Sequence, residues 1–253
     1  MDFKRSLQLS LQYHNTLNPV VFDLGTDNAE PSMIPEIRAA LLKIARAWQE
    51  YCDIPSYAVK DIIFTGGNAN FNYTEQSDMD VHIVIEPKLM SSDEKLLLDN
   101  LFAKKALWAD AHPNIKVKGY TVELFAQPIS EKPHQDQGVY SLVLDAWLDA
   151  PENKHIDFSS DPYLIKKINW FKQRIDNIIN TKSKDELSIV LLKERIRNMR
   201  AAAIQRGGEF SFENLVFKEL RNSGYLDKLS KYKSNLEDEQ LSFEKVETAN
   251  EYK

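Results

Sequence analysis

Asp78 and Asp80 stand two residues apart at the head of an alternating apolar run, Met79 to Glu86. In a β-strand, residues i and i+2 leave the same face, so these two carboxylates stand side by side. Such a pair repels itself and is costly unless a cation lies between its members. Oxygen donors from Asp, completed by water and substrate phosphate, are what Mg²⁺ prefers. Just upstream, Phe64-Thr65-Gly66-Gly67 ends an apolar strand on two glycines. Their missing β-carbons let backbone N–H groups approach a ligand closely. The residues that follow can open a helix whose N-terminus favours phosphate. A third acid, Glu123, interrupts the strand-like Thr121-Val122-Glu123-Leu124-Phe125, with Val122 and Leu124 on the opposite face. If that strand lies beside the one bearing the aspartates, Glu123 reaches the same place. Three carboxylates so gathered are the set a two-metal phosphoryl-transfer centre needs. His82 shares the acidic face and reads as a packed strand histidine.

The elements that must position these residues follow from periodicity. The opening 30 residues are mixed, with turn signals at Asn18-Pro19 and Gly25-Thr26-Asp27. Pro35 announces a helix in which Ile37, Leu41, Ile44 and Trp48 share one face. Val59 to Phe64 reads as a strand, as does Met79 to Glu86, in which Val81, Ile83 and Ile85 alternate with Asp80, His82 and Val84. Ser91 and Ser92 are candidate caps of a helix holding Leu97, Leu101 and Leu107, and Ile115 to Gln127 reads as a third strand. From Asp161-Pro162, a capping residue with proline at the first helical position, the pattern turns helical. Leu164, Ile168, Phe171, Ile175 and Ile178 form one stripe; Ile189, Leu192, Ile196, Met199 and Ala203 form the next, after a capping box at Ser183 to Glu186. Ser211 caps a third helix that Gly224 stops.

The expected fold class is α+β: a small mixed β-sheet with flanking helices and a C-terminal helical region. Residues 1–155 make the first part, 156–233 the helical region, and 234–253 an acidic, frayed tail. The four tryptophans, Trp48, Trp108, Trp147 and Trp170, read as core anchors rather than base-stacking platforms.

The 253 residues are 43% hydrophobic and 28% charged, ordinary globular usage that argues against wholesale disorder. No apolar run approaches the roughly 20 residues of a membrane-spanning helix. The start, Met1-Asp2-Phe3-Lys4-Arg5, shows no secretion signal, so a cytoplasmic setting is expected. Cys52, the only cysteine, excludes an intramolecular disulfide and any multi-cysteine metal site. The net charge of −6 argues against coating long DNA by charge alone. It is unevenly spread: residues 1–160 carry 14 Lys and Arg against 23 Asp and Glu (−9), residues 161–233 carry 16 against 9 (+7), and residues 234–253 carry 2 against 6 (−4). Lys193, Arg197 and Arg200 make a basic ridge beside the apolar stripe, extended by Arg195, Arg206, Lys218 and Arg221. Arg197 and Arg200 are the candidates to grip a phosphate-bearing ligand.

Gly66-Gly67, nine residues of loop from Asn68 to Gln76, Ser77-Asp78-Met79-Asp80 and a distant acid in a strand together resemble the signature of the DNA polymerase β-like nucleotidyltransferase superfamily. The motif spans roughly residues 59–127. The sequence as a whole looks most like the short nucleotidyltransferases of tailed-phage genomes, which the Asn18-Pro19, Gly138-Val139-Tyr140-Ser141 and Gly207-Gly208-Glu209-Phe210-Ser211 stretches also fit. The resemblance implies that Asp78, Asp80 and Glu123 are catalytic and bind two Mg²⁺ or Mn²⁺ ions. It implies that Gly66 and Gly67, with Asn68 and Ser77 beside them, bind the nucleotide. One residue departs from the pattern: the family commonly has Gly-Ser, and here Gly67 removes the hydroxyl that contacts a phosphate.

The implied activity is transfer of a nucleoside monophosphate from an NTP to an acceptor hydroxyl, on tRNA, protein or a small molecule, with release of pyrophosphate. A nucleotide- or partner-binding protein without turnover is the alternative, and Gly67 supports it. A glycosyltransferase using the Asp-x-Asp pair ranks below, because it needs a longer nucleotide-binding half before that pair.

Overall fold

The computed structural model describes residues 13–25, 30–131, 137–153 and 161–242. Thr26, Asp27, the boundary at 154–160 and the tail from 243 lie outside the described residues. Two short strands, β1 (Phe22–Asp23) and β2 (Ser32–Met33), pair with each other ahead of helix α1 (Pro35–Tyr51). The main sheet follows from β3 (Val59–Thr65), β4 (Met79–Ile85), β5 (Lys116–Val117), β6 (Tyr120–Pro128), β7 (Val139–Ser141) and β8 (Ala146–Asp149), with helix α2 (Glu94–Ala111) between β4 and β5. The order across the sheet is β5-β6-β4-β3-β7-β8. β4 and β6 run parallel, which requires the crossover that α2 supplies, and the other pairs are antiparallel. The fold is a mixed α+β one, as expected, with a larger sheet than three strands.

Alternation in β4 decides which face is which. Met79, Val81, Ile83 and Ile85 are fully buried and pack with Ile37, Leu41, Ala45 and Trp48 of α1. Asp80, His82 and Val84 face the other way and remain partly open. The β7–β8 hairpin, which periodicity did not reveal, closes one edge with aromatic rings. Trp147 stacks on Phe22 at 5.0 Å and meets Tyr140 edge-on at 5.1 Å, and its indole N–H donates to the Pro31 carbonyl.

Three expected boundaries move. The single strand from Ile115 is a hairpin, because Lys118 and Gly119 both take positive φ (50° and 92°) between Val117 and Tyr120; two such residues are what a tight hairpin turn requires. Asp93, not Ser91 or Ser92, caps α2 by accepting the Leu96 N–H at 3.0 Å. In the helical region α3 (Pro162–Asn180) begins on Asp161, which accepts from the Tyr163 and Leu164 N–H groups as expected. The next helix, α4 (Glu186–Gly207), is capped by Asp185 accepting from Ser188 rather than by Ser183.

Helices α5 (Phe212–Asn222) and α6 (Tyr225–Leu241) complete the region, joined at Gly224 in the left-handed conformation (φ 76°). Part of the stretch expected to fray is therefore helical: α6 runs through Leu241, anchored by buried Leu229 and Leu236. The four helices share a second core built on Ile168, Phe171, Ile196, Val216 and Leu220. Inside it Lys172 of α3 donates to Glu219 of α5 at 2.6 Å, and the Glu219 side chain is fully buried.

A buried charge that loses its partner is far costlier than the pair. Glu219→Ala is expected to lower stability by about 3–5 kcal/mol in urea unfolding, and the double replacement Lys172→Met with Glu219→Leu to recover most of it. A single variant as stable as the parent would show that the pair is dispensable.

Candidate active site

Strand β3 ends at Thr65, and the chain turns sharply at Gly66 (φ 78°). A side chain there would be strained by the backbone and would also have no room. A β-carbon on Gly66 would lie 1.8 Å from Asp80 Oδ2. Asn70 locks the bend: its Nδ2 donates to the Gly66 carbonyl at 2.8 Å and its Oδ1 accepts the Gly138 N–H at 3.1 Å. Asn68 performs a similar task on the other side. Its Nδ2 donates to the Asp78 carbonyl at 3.0 Å and its Oδ1 accepts from Asn18. Asn68 is fully buried, so its side chain holds the loop and does not face a ligand. The Ser77 hydroxyl accepts the Thr74 N–H at 2.9 Å and sits 3.1 Å from where a β-carbon on Gly67 would be.

The parallel register of β4 and β6 sets Glu123 directly beside Asp80, and the antiparallel register of β3 and β4 sets Thr65 on Asp80's other side. Asp78, Asp80 and Glu123 line one cavity of about 240 Å³ together with Gly66, Gly67 and Ser77. The helical region also lines it: Arg200 of α4, and Lys218 and Arg221 of α5. Arg200 also donates to Asn214 Oδ1 and lies over the Phe217 ring at 4.4 Å. Arg197 is exposed and lies off this cavity. Of the expected basic ridge, the helix turns only Arg200 inward, next to Ile204. Lys218 and Arg221 take the expected place of Arg197; Arg221, three residues after Lys218, falls on the same helical face. That spacing was legible, but which side of the helix meets the sheet was not.

Burial and neighbouring charges shift two of the acids in opposite directions. Burial pushes the Asp78 carboxyl above its ordinary value, and the nearby Glu123 adds to this against the pull of Arg221 and Lys105. At Glu123 burial also pushes upward. The Lys105 hydrogen bond and charge, with hydrogen bonding to Asp80, outweigh it and leave the carboxyl below the usual range. Lys105 of α2, which sequence reasoning did not single out, reaches Glu123 Oε1 at 2.6 Å and lies 5.2 Å over Phe125. Burial holds His82 low and hence neutral; its Nδ1 donates to Gln127 Oε1 at 2.7 Å.

Whether the acids suit a divalent ion can be tested on their placement. Among the described residues no three His, Cys, Asp or Glu side chains are gathered as a ready metal cage. The donors along the cavity are nonetheless carboxylate oxygens, two of them in adjacent register. Mg²⁺ is commonly held by one or two carboxylates, with water and substrate phosphates completing the shell. The donor set fits that kind of ion.

No protein-family model matches the sequence, and no curated protein matches it. Among solved structures, the chain is similar to the STING-associated CdnE c-di-GMP synthase from Capnocytophaga granulosa, at 11% identity over 82% of this chain and 84% of that one, with a TM-score of 0.24. The chemistry therefore rests on this chain's own residues. Among the described residues no helix is long and apolar enough to cross a membrane.

The Asp80 contact can be separated from backbone strain by comparing two glycines of positive φ. Gly119→Ala meets nothing within 4 Å and is expected to cost only the backbone term, about 1–2 kcal/mol. Gly66→Ala must also displace Asp80 and is expected to lower the melting temperature further, by several degrees. Equal losses would mean that Asp80 yields freely.

Proposed function

We propose that the protein is a divalent-cation-dependent nucleotidyltransferase. The observation that supports it is the meeting of opposite charges around one cavity: Asp78, Asp80 and Glu123 from the sheet part and Arg200, Lys218 and Arg221 from the helices all line it, beside the Gly66–Gly67 bend. Acids and bases arranged this way suit a polyphosphate and its counter-ions. An acidic wall without the bases would repel the ligand, and a basic wall without the acids would hold it without chemistry.

In this reading the guanidinium groups of Arg200 and Arg221 and the ammonium of Lys218 take the β- and γ-phosphates. Backbone N–H groups near Gly67 approach the same phosphates from the sheet side. Asp78, Asp80 and Glu123 would hold Mg²⁺ or Mn²⁺. When bound, the ions lower the pKa of the attacking hydroxyl and screen the triphosphate charge. The acceptor oxygen forms a bond to the α-phosphorus while the α–β anhydride bond breaks. Pyrophosphate leaves with that electron pair and the hydroxyl proton passes to solvent. Neutral His82 adds no charge to the acidic face. The acceptor, an RNA end, a protein side chain or a small molecule, has to enter on the carboxylate side.

Two observations favour a second reading, nucleotide binding without turnover. Lys105 already supplies a cation to Glu123, and Gly67 offers no hydroxyl. Incubation with each α-labelled NTP, Mg²⁺ or Mn²⁺, and cellular RNA and protein extracts separates the two. Transfer of label with release of pyrophosphate supports catalysis; bound nucleotide without transfer supports the second reading. Asp78→Asn, Asp80→Asn and Glu123→Gln are each expected to reduce labelling by roughly a hundredfold or more with the fold retained. Full activity in any one of them would overturn the assignment. Arg221→Ala is expected to weaken triphosphate binding about tenfold, read by titration calorimetry, while Arg197→Ala leaves it unchanged.

A further inference from the structure

Asn72 lies on the wall of the same cavity, and its carboxamide is anomalous. Both Nδ2 and Oδ1 are sealed from water and neither has a hydrogen-bond partner. The nearby asparagines Asn68 and Asn70 have both ends of their amides bonded, to backbone groups and, at Asn68 Oδ1, to the Asn18 side chain. A buried donor and acceptor left unmade carry an uncompensated desolvation cost, and native proteins keep few of them.

The loop is not free to relax this state. On one side of Asn72, Phe71 stacks on Tyr13 with ring centres 6.1 Å apart, and the Phe71 carbonyl accepts the His14 N–H at 2.7 Å. On the other side, Tyr73 stacks on His14 with ring centres 3.8 Å apart and planes nearly parallel, and its carbonyl accepts from His14 Nε2. Burial keeps His14 below its ordinary value despite that hydrogen bond, so the ring stays neutral. Thr74 is tied to Ser77. Asn72 is thus the unsatisfied member of a segment pinned on both flanks, and rotation of its own side chain is the movement left to it.

The pairing it lacks specifies what would satisfy it. Phosphate oxygens only accept, so they would occupy Nδ2 and leave Oδ1 orphaned. A metal ion would do the reverse. A group offering a donor and an acceptor together answers both atoms: a ribose hydroxyl, or the edge of a nucleobase. We propose that Asn72 is a specificity-determining residue whose carboxamide turns onto such a group of the bound nucleotide. This rests on the nucleotide reading above and goes beyond it, since it makes the loop between the glycines and the aspartates a reader of the nucleoside and not of the phosphates.

The test is equilibrium binding to the full chain, with Mg²⁺, of ATP, GTP, CTP, UTP, their 2′-deoxy forms and inorganic tripolyphosphate. The parent protein is expected to prefer one base, or ribose over deoxyribose, by about tenfold, the size of one good hydrogen-bonded contact. Loss of the base preference identifies a base edge; loss of the ribose preference identifies a hydroxyl. Asn72→Leu, similar in shape without polar atoms, and Asn72→Asp, which keeps acceptors but no donor, are both expected to flatten that preference and to leave tripolyphosphate binding within twofold for the leucine variant. Without ligand, Asn72→Leu is expected to melt no lower than the parent, because it removes an unsatisfied amide. The proposal is overturned if the preference survives both variants, if there is no preference to lose, or if the leucine variant melts several degrees lower, as a structural asparagine would make it. A parent protein that binds neither nucleotide nor tripolyphosphate would remove the proposed function itself, and the inference with it.

Discussion

Asp80 is tightly enclosed by its neighbours, and the bend and strand register around it follow from that. Across the sheet it stands between Thr65 and Glu123, and its Oδ2 fills the space a side chain at position 66 would need. Only a glycine of positive φ can pass behind it. Crowded carboxylates call for cations, and the protein supplies them: Lys105 from the crossover helix α2 pairs with Glu123, and Arg221 of α5 acts on Asp78. The topology makes this possible. The parallel pairing of β4 and β6 aligns Glu123 with Asp80, and the crossover that pairing requires is the element that carries Lys105.

The polar residues of the glycine-to-aspartate loop divide by what they touch. Asn68, Asn70 and Ser77 spend most of their hydrogen bonds on backbone groups, with Asn68 also accepting from the Asn18 side chain, which fixes the path of the chain from β3 to β4. Such local bonds give an irregular segment a single conformation without help from a helix or sheet. Asn72 has no such bond. A chemically similar set of side chains therefore contains both satisfied scaffold groups and a buried, unsatisfied amide, and sequence spacing does not distinguish them.

The helical region contributes more than a cover. It has an apolar core of its own, with the Lys172–Glu219 pair inside it, so α4 and α5 present Arg200, Lys218 and Arg221 from a packed support. Cations carried on well-packed helices lose little further freedom when they meet a phosphate. Tyr13 ties the two parts together at the loop, stacking on Phe71 and also meeting Phe210 at 5.6 Å.

Much of this is legible in the sequence. Alternation in Met79–Ile85 fixed the buried and open faces of β4, the spacing of Asp78 and Asp80 fixed their common side, and Asp161-Pro162 fixed the start of α3. Those features are local, since side-chain period and capping depend on residues a few positions apart. The hairpin at Lys118-Gly119 and the helix through Leu241 were missed because weak periodic signals there are overridden by a turn and by tertiary burial. What only the folded chain decided was which distant groups meet. The alignment of Glu123 with Asp80, the reach of Lys105, the choice of Arg200, Lys218 and Arg221 over Arg197, and the unsatisfied amide of Asn72 all depend on strand register and on the rotation of helices about their axes. Both are set by packing between residues far apart in sequence, and no local pattern of residue types encodes them.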